Sequence, residues 1–260
     1  MTEGLPIELV SGVRPKPPRL PGAVIQRRDL DGAIDALLAD VYLHAHNCVR
    51  TFGDFHIAIA GAPGLDAPLM RLMFDPAYRE FPWSRTRVWT AEELVLPEGD
   101  ERLVGPRLRE IIVEPSGMPA EQFHAIDLNA GAPGFERELR EHLGWRQAGH
   151  DRLDLVILAL MTGAQVGLAL PLPVEGALAA AAAPTSARPA AIAMTQTMVN
   201  AARMLAVLAA GPGLEGEALR LANAPLSAEQ RQAVGGAYLL RPIGAGELRW
   251  YLDDAACTPV

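Results

Sequence analysis

Residues 153–173 read LDLVILALMTGAQVGLALPLP. The first eight are almost wholly apolar, which is typical of a central strand in a parallel sheet, because both faces of such a strand are buried. The run then breaks at Gly163 and Gly167 and ends in prolines. Many α/β proteins place their chemistry where a strand enters a glycine-rich loop. This loop offers only Thr162 and Gln165 as polar side chains.

Residues 155–173 are long and apolar enough to be considered as a membrane-spanning segment, which needs about 20 apolar residues. Two glycines, the central Gln165 and the terminal prolines weaken that interpretation. A buried central strand explains the same apolar sequence, so we expect no membrane association.

Outward from this stretch, short apolar segments alternate with stretches of helical length. The predicted strands are 23–27, 56–61, 87–90 and 191–195. Residues 118–127 are predicted as a turn leading into a strand, and 247–256 as an edge strand with a closing turn. The alanine-rich segment 177–191 is predicted to be a partly helical surface connection. This alternation predicts an α/β protein, a three-layer α/β/α sandwich with a mainly parallel central sheet. We expect an extended proline-rich leader at 1–21 and a single main domain at 22–260.

Composition restricts the function classes. The chain has 260 residues and a net charge of −8, which disfavours nucleic acid as a partner because phosphate neutralisation needs clustered cations. Of the 23 basic residues only Lys16 is a lysine, so Schiff-base chemistry in the folded body is excluded. Cys48 and Cys257 are far apart in the chain and give no C-x-x-C pair. A reduced cytoplasmic location follows as an expectation, as does the lack of a signal peptide in the polar, proline-rich N-terminus.

Metal and cofactor motifs are weak. His44, His46 and Cys48 form H-x-H-x-C, but no second ligand cluster is obvious, and a partly exposed helix surface is the simpler interpretation. The remaining histidines are scattered singly and are expected to make local hydrogen bonds. The serines do not form G-x-S-x-G, and GAPG at 61–64 and at 131–134 lacks the dinucleotide-binding spacing. We predict no metal and no cofactor.

Six landmarks stand in a recognisable order along the chain: IAIAG (57–61), WSRTRVWTAEELVLP (83–97), MPAEQFHAID (118–127), LDLVILALMTGAQVGLALP (153–171), AIAMTQTMVNAAR (191–203) and ELRWYLDDAA (247–256). In this order the chain resembles the 6-phosphogluconolactonase family, whose relatives include the glucosamine-6-phosphate isomerases. The resemblance covers roughly residues 22–256. It implies the 6-phosphogluconolactonase / ribose-5-phosphate isomerase-like fold and a sugar-phosphate cleft at the carboxyl ends of the strands.

The positions that carry chemistry in that family are altered here. The family's Gly-Gly-Ser-Thr-Pro-like phosphate loop corresponds to residues 61–65, GAPGL, where both hydroxyls are absent and Pro63 removes an N–H. The family's Asp-Glu-Arg triplet corresponds to Glu92, Glu93 and Leu94. The two glutamates are most simply a helix start or a solvated turn; the alternative directs Glu92 into the cleft.

The remaining positions follow the same trend. In the family's Gly-x-Gly-x-Asp-Gly-His loop, the Asp corresponds to Gly163 and the general-base His to Gln165, and glutamine cannot accept a proton near neutral pH. The phosphate-binding arginine is missing from 191–195, although Arg188 lies three residues before that segment. The family's lysine corresponds to about Leu214.

The resemblance therefore implies a protein that has lost lactone hydrolysis. Loss of a positioned base alone costs about 10²–10⁴ in rate, and each lost charged hydrogen bond costs roughly 1.5–3 kcal/mol. We expect no catalytic residues and a vestigial ligand cleft formed by Gly61, Ala62, Glu92, Gly163, Gln165 and Arg188. The alternative is an active hydrolase or lactonase with a remodelled site using Glu92 and Gln165.

The family context also suggests partners. These are a sugar phosphate or a less anionic small molecule, and a protein of the pentose phosphate pathway such as glucose-6-phosphate dehydrogenase. The expected role is that of a sensor or a scaffold.

Overall fold

The fold is an α/β sandwich around a seven-stranded sheet, seen in a computed structural model that describes residues 14–144, 151–170, 176–186 and 188–259. The strands are β1 (Ala23–Gln26), β2 (Phe55–Ile59), β3 (Thr86–Thr90), β4 (Glu92–Leu94), β5 (Phe123–His124), β6 (Leu155–Ala159), β7 (Ala179–Ala182), β8 (Ala191–Met194), β9 (Met204–Ala209) and β10 (Glu247–Leu252). The helices are α1 (Leu30–Phe52), α2 (Asp66–Phe74), α3 (Val104–Leu108), α4 (Glu114–Ser116), α5 (Gly131–Leu143), α6 (Gln196–Asn200), α7 (Glu217–Asn223) and α8 (Ala228–Val234). A π-helical turn, Arg109–Val113, joins α3 to α4, and 3₁₀ turns span Pro63–Leu65, Pro76–Tyr78, Trp83–Arg85, Ala120–Gln122, Thr162–Ala164 and Gly236–Leu239.

The central sheet has the order β1-β10-β9-β6-β2-β3-β5, and all of its pairings are parallel. Strand β6 occupies the middle position and all five of its residues are buried, which confirms the prediction for 153–160. A second sheet, β4-β8-β7, is antiparallel. The predicted class, a mainly parallel three-layer α/β fold in one main domain, is confirmed.

Helix α1 illustrates how the sequence forms these elements. The side chain of Asp29 accepts a hydrogen bond from the Gly32 N–H and caps the first turn, and Gly53, at φ 89°, ends the helix in the left-handed conformation. Between these ends, apolar residues at helical spacing bury one face against β1, β2, β9 and β10.

Two predictions about the elements are wrong. Segment 247–256 is not an edge strand, because β10 lies between β9 and β1, and Trp250, Tyr251 and Leu252 are fully buried there. The alanine-rich segment 177–191 contains strand β7 instead of a helix. Alanine favours helices, but the free edge of β8 supplies a hydrogen-bonding partner, and this tertiary contact outweighs the local preference.

The predicted leader lies only partly within the described residues. Residues 14–21 have no helix or strand, yet they contact the first and last strands. Trp250 donates its indole N–H to the Pro21 carbonyl at 2.7 Å, and Gln26 donates to the Pro15 carbonyl at 3.0 Å. This part of the leader therefore packs against the domain.

The structure gives two further findings on the chain as a whole. Cys48 and Cys257 are both buried, and no disulfide joins them. In the described ranges, no helix combines the length and the apolar character needed to cross a bilayer.

Candidate functional site

The candidate site lies where the carboxyl ends of β2, β3 and β6 meet, because parallel strands deliver their following loops to one edge of the sheet. The loop that begins at Gly61 follows β2, Ala91 and Glu92 follow β3, and residues 160–168 follow β6. Five of the six predicted cleft residues are in these loops or in β4. Arg188 comes from the connection between β7 and β8.

The loop after β2 is packed against the loop after β6. The Gly61 N–H donates to the Gly167 carbonyl at 3.1 Å, and Ala62 is 1% exposed. A Cβ atom on Gly167 would lie 2.5 Å from the Ala62 Cβ, so the two backbones are in direct contact. A Cβ on Gly61 would meet a Val104 methyl at 2.6 Å and a Glu92 carboxylate oxygen at 3.0 Å. The space above Gly61 is therefore filled by protein atoms.

Glu92 is the central acidic group of the cleft. It lies in β4, opposite Ala193 of β8, and its side chain is 3% exposed. Its Oε2 accepts a hydrogen bond from the Ala169 N–H at 3.1 Å and another from the guanidinium of Arg188. The prediction of a solvated turn or helix start for this residue is wrong, because pairing with β8 carries it into the interior.

Arg188 reaches Glu92 from the connection between β7 and β8. Its backbone forms an isolated bridge with Thr185, and its side chain is 23% exposed. Burial lowers the pKa of the guanidinium, although arginine remains protonated at ordinary pH. Arg188 and Glu92 form an ion pair, so the positive charge is neutralised within the cleft.

The loop after β6 keeps a distinctive backbone shape. Gly163 and Ala164 have φ values of 69° and 63°, both in the left-handed region. The Met161 N–H donates to the Gln165 carbonyl at 2.8 Å and closes the loop. Ala164 is buried, whereas Gly163 and Gln165 are exposed. Gln165 thus presents its amide to solvent.

Glu93 is buried, whereas the sequence predicted a helix start or a solvated turn at this position. Its side-chain carboxylate accepts hydrogen bonds from the backbone N–H groups of Val104 at 2.7 Å and Gly105 at 2.6 Å, the first residues of α3. A third comes from the Leu94 N–H at 3.0 Å. An acid eleven residues before a helix gives no local capping signal, so only the tertiary fold reveals this role.

The histidine predictions have mixed outcomes. His44 hydrogen-bonds the Asp154 carbonyl at 2.9 Å, so one member of H-x-H-x-C has a local partner. His124 and His142 are not scattered: their ring centroids are 4.4 Å apart. Together with Glu138 they form a group with metal-ligating geometry within the described ranges.

The structure defines an α/β protein with a parallel central sheet and a candidate site at the carboxyl ends of its strands. The family model for glucosamine-6-phosphate isomerases/6-phosphogluconolactonase matches residues 28–232. The chain therefore belongs to this family.

Relatives agree with that assignment. The human GDH/6PGL endoplasmic bifunctional protein is 25% identical over 137 residues, which cover 49% of this chain and 16% of the human protein. The match thus spans about a sixth of that relative's length.

Solved structures share the fold. The 6-phosphogluconolactonase from Thermotoga maritima is 17% identical with a TM-score of 0.71, covering 89% of this chain and 99% of that one. The enzyme from Trypanosoma cruzi is 15% identical with a TM-score of 0.74, covering 90% of this chain and 95% of that one.

Proposed function

We propose that this chain is a non-catalytic member of its family, a 6-phosphogluconolactonase-like protein that acts as a scaffold or sensor in sugar-phosphate metabolism. The observation that carries the proposal is the ion pair between Glu92 and Arg188 inside the cleft. These are the two charged side chains among the six predicted cleft residues, and they are bonded to each other.

The ion pair opposes binding of a phosphate group. For Arg188 to bind phosphate it would have to leave Glu92, whose carboxylate is 3% exposed. An uncompensated buried charge costs roughly 3–5 kcal/mol. A phosphate dianion beside that carboxylate would also be repelled. The cleft therefore suits a less anionic ligand better than a sugar phosphate.

The loop after β6 supports the same conclusion. Gln165 is exposed and could contact a substrate, but an amide does not accept a proton near pH 7. Gly163 offers no side chain where the family motif has an acid. A water molecule at this loop would therefore lack a general base from these two positions.

The alternative, a remodelled hydrolase that uses Glu92 and Gln165, is disfavoured by the state of Glu92. A general base must reach the proton it removes at hydrogen-bond distance. The Glu92 carboxylate is buried and already bonded to Ala169 and Arg188. It could act only after that arrangement opened.

A protein partner from the pentose phosphate pathway remains part of the proposal. The human relative, the GDH/6PGL endoplasmic bifunctional protein, joins GDH and 6PGL in one protein, which supports association with a dehydrogenase of the same pathway. The cytoplasmic location is likewise proposed, on the basis of two buried cysteines without a disulfide.

The decisive experiment is a lactonase assay on purified protein with 6-phosphogluconolactone, beside an active 6-phosphogluconolactonase as positive control. We expect hydrolysis no faster than the spontaneous rate. Hydrolysis well above that rate, lost in Glu92→Gln but kept in the exposed control Glu98→Gln, would establish the hydrolase instead.

A thermal-shift series separates the sensor from the scaffold. A ligand at 100 times its Kd adds about 2.7 kcal/mol of stability. A saturable shift with 6-phosphogluconate or glucosamine 6-phosphate identifies a sensor and would contradict the argument that the Glu92–Arg188 ion pair opposes phosphate binding. No shift, combined with co-purification of a pathway protein, identifies a scaffold.

A further inference from the structure

Three potential metal ligands converge where α5 meets the edge strand of the central sheet. His124 is the last residue of β5, and Glu138 and His142 lie four residues apart on α5, on one face of the helix. One ligand atom from each of the three lies within 4.8 Å of the other two. None of the three is a cleft residue.

His124 is held in place and has unsatisfied bonding capacity. Its ring stacks on Trp89 with centroids 3.9 Å apart and an interplanar angle of 15°. Its Nδ1 is 2.6 Å from Glu138 Oε1. Its Nε2 is buried and has no hydrogen-bond partner among the residues that the structure describes, and the residue is only 3% exposed. Buried polar atoms are rarely left unpaired, so the ring has bonding capacity that its described protein neighbours do not use.

The charge of the cluster also favours a cation, because Glu138 places a carboxylate beside the two imidazoles.

We propose that His124, Glu138 and His142 form a binding site for a divalent transition metal, with zinc as the best match to two imidazoles and one carboxylate. Zinc binds such ligands at about 2.0–2.2 Å in tetrahedral geometry, so their ligand atoms would sit roughly 3.3 Å apart in the loaded site. The side chain of Glu138 is 37% exposed, and it can adjust to reach that spacing. Water completes the fourth position.

The ion would join the two-residue edge strand β5 to α5 and so stabilise this edge of the sheet. This role uses none of the six cleft residues and holds whether or not the chain hydrolyses lactones. The ligands come from two separate elements, and the metal would cross-link them.

The test measures zinc binding to the full chain without a histidine tag, by competition with a chromophoric zinc indicator, and then replaces zinc with Co²⁺. We expect one ion per chain and the visible absorption of tetrahedral Co²⁺. Glu138→Gln and His142→Gln should each weaken zinc binding at least ten-fold. Both side chains are only half-buried, so these variants are expected to fold.

Two matched variants serve as controls. Glu141→Gln removes the same charge from the same helix without removing a ligand, and His46→Gln removes a half-buried histidine from α1. Both should bind zinc within about two-fold of the unchanged protein. Absence of stoichiometric binding, or equal affinity in the ligand and control variants, would overturn the proposal.

Discussion

The backbone N–H of Ala164 donates a hydrogen bond to Oε1 of Glu217 at 3.0 Å, and both residues are buried. The other Glu217 oxygen accepts from Arg220 at 2.7 Å. This contact anchors the loop after β6 to the start of α7. It holds Ala164 at φ 63°, a conformation that favours glycine, and glycine is the residue of the family motif at this position.

Ala164→Gly should therefore stabilise the protein. A non-glycine residue in the left-handed region destabilises the folded state by about 1–2 kcal/mol, and glycine removes this cost. Glycine also gives the unfolded chain more conformational freedom, which lowers the stability by about 0.4–1 kcal/mol. We expect a net gain of about 0.5–1 kcal/mol in urea unfolding. Ala67→Gly, in the exposed part of α2, is the control and should lose about 1 kcal/mol. A loss at position 164 as large as at position 67 would contradict this account.

Gly236→Ala should strongly destabilise the protein. A Cβ on Gly236 would lie 2.2 Å from the Ala164 carbonyl oxygen, and its φ is +57°. We expect a loss of about 3 kcal/mol or more, since a backbone clash adds to the left-handed penalty. Gly244→Ala measures the left-handed penalty without a clash, because Gly244 has φ +62° but nothing within 4 Å of its Cβ position. It should lose only about 1 kcal/mol. Equal losses would show that the contact with Ala164 is unimportant.

The fold was largely predictable because it follows from local patterns. The almost wholly apolar run at 153–160 predicts a central strand, and the alternation of strands and helices predicts a parallel sheet. The failures occurred where a partner decides the structure. Residues 179–182 are alanines that would favour a helix, and only the exposed edge of β8 makes them a strand. The internal place of β10 likewise depends on β1, which lies more than 200 residues earlier in the chain.

The candidate site was less predictable. Sequence order could place Gly61, Glu92 and Gln165 at one sheet edge, but it could not reveal that Arg188 would pair with Glu92. The sequence predicts solvent-exposed positions for both Glu92 and Glu93, since charged residues are seldom buried unless paired. Apart from the adjacent Leu94 N–H, their partners come from residues 11 to 96 positions away. The nearness of His124 to His142 depends in the same way on how α5 packs on the sheet.

Breaking the ion pair of the cleft from one side should destabilise the protein. Arg188→Met leaves the Glu92 carboxylate buried with only the Ala169 N–H. We expect a loss of about 2–3 kcal/mol in chemical unfolding, reduced from the fully buried case because Arg188 is 23% exposed. The double variant Glu92→Gln/Arg188→Met should recover part of this loss. Additive losses in the double variant would mean that the two residues do not interact.

Glu93→Gln tests the carboxylate that caps α3. The amide group of glutamine offers one acceptor oxygen, and its NH₂ group would face an N–H donor, either that of Val104 or that of Gly105. We expect a loss of about 2–3 kcal/mol, because a buried hydrogen bond to a charged group is replaced by opposed donors. Glu98→Gln, in the exposed loop after β4, should change stability by less than about 0.5 kcal/mol. A similarly small change at Glu93 would exclude the capping role.

Tyr251 gives a pH-dependent prediction. The residue is fully buried, and its hydroxyl donates to Asp40 Oδ2 at 2.7 Å. Burial, and then the charge of Asp40, raises the pKa of the phenol above its ordinary value of 10.0. The folded protein therefore keeps the proton while the unfolded chain loses it above pH 10, so the stabilisation is complete below pH 10 and declines as the pH rises further.

Tyr251→Phe should accordingly cost about 1 kcal/mol at pH 7, from the lost hydrogen bond to Asp40. The difference between the two proteins should stay constant up to pH 10 and then shrink by as much as about 1.4 kcal/mol per pH unit. The measurement is urea unfolding of both proteins from pH 7 to 11. Tyr78 and Tyr238, whose pKa values are also raised by burial, are present in both proteins and cancel in the comparison. A difference that stays constant above pH 10 would mean that the phenol ionises equally well in the folded state, and that Asp40 does not hold its proton.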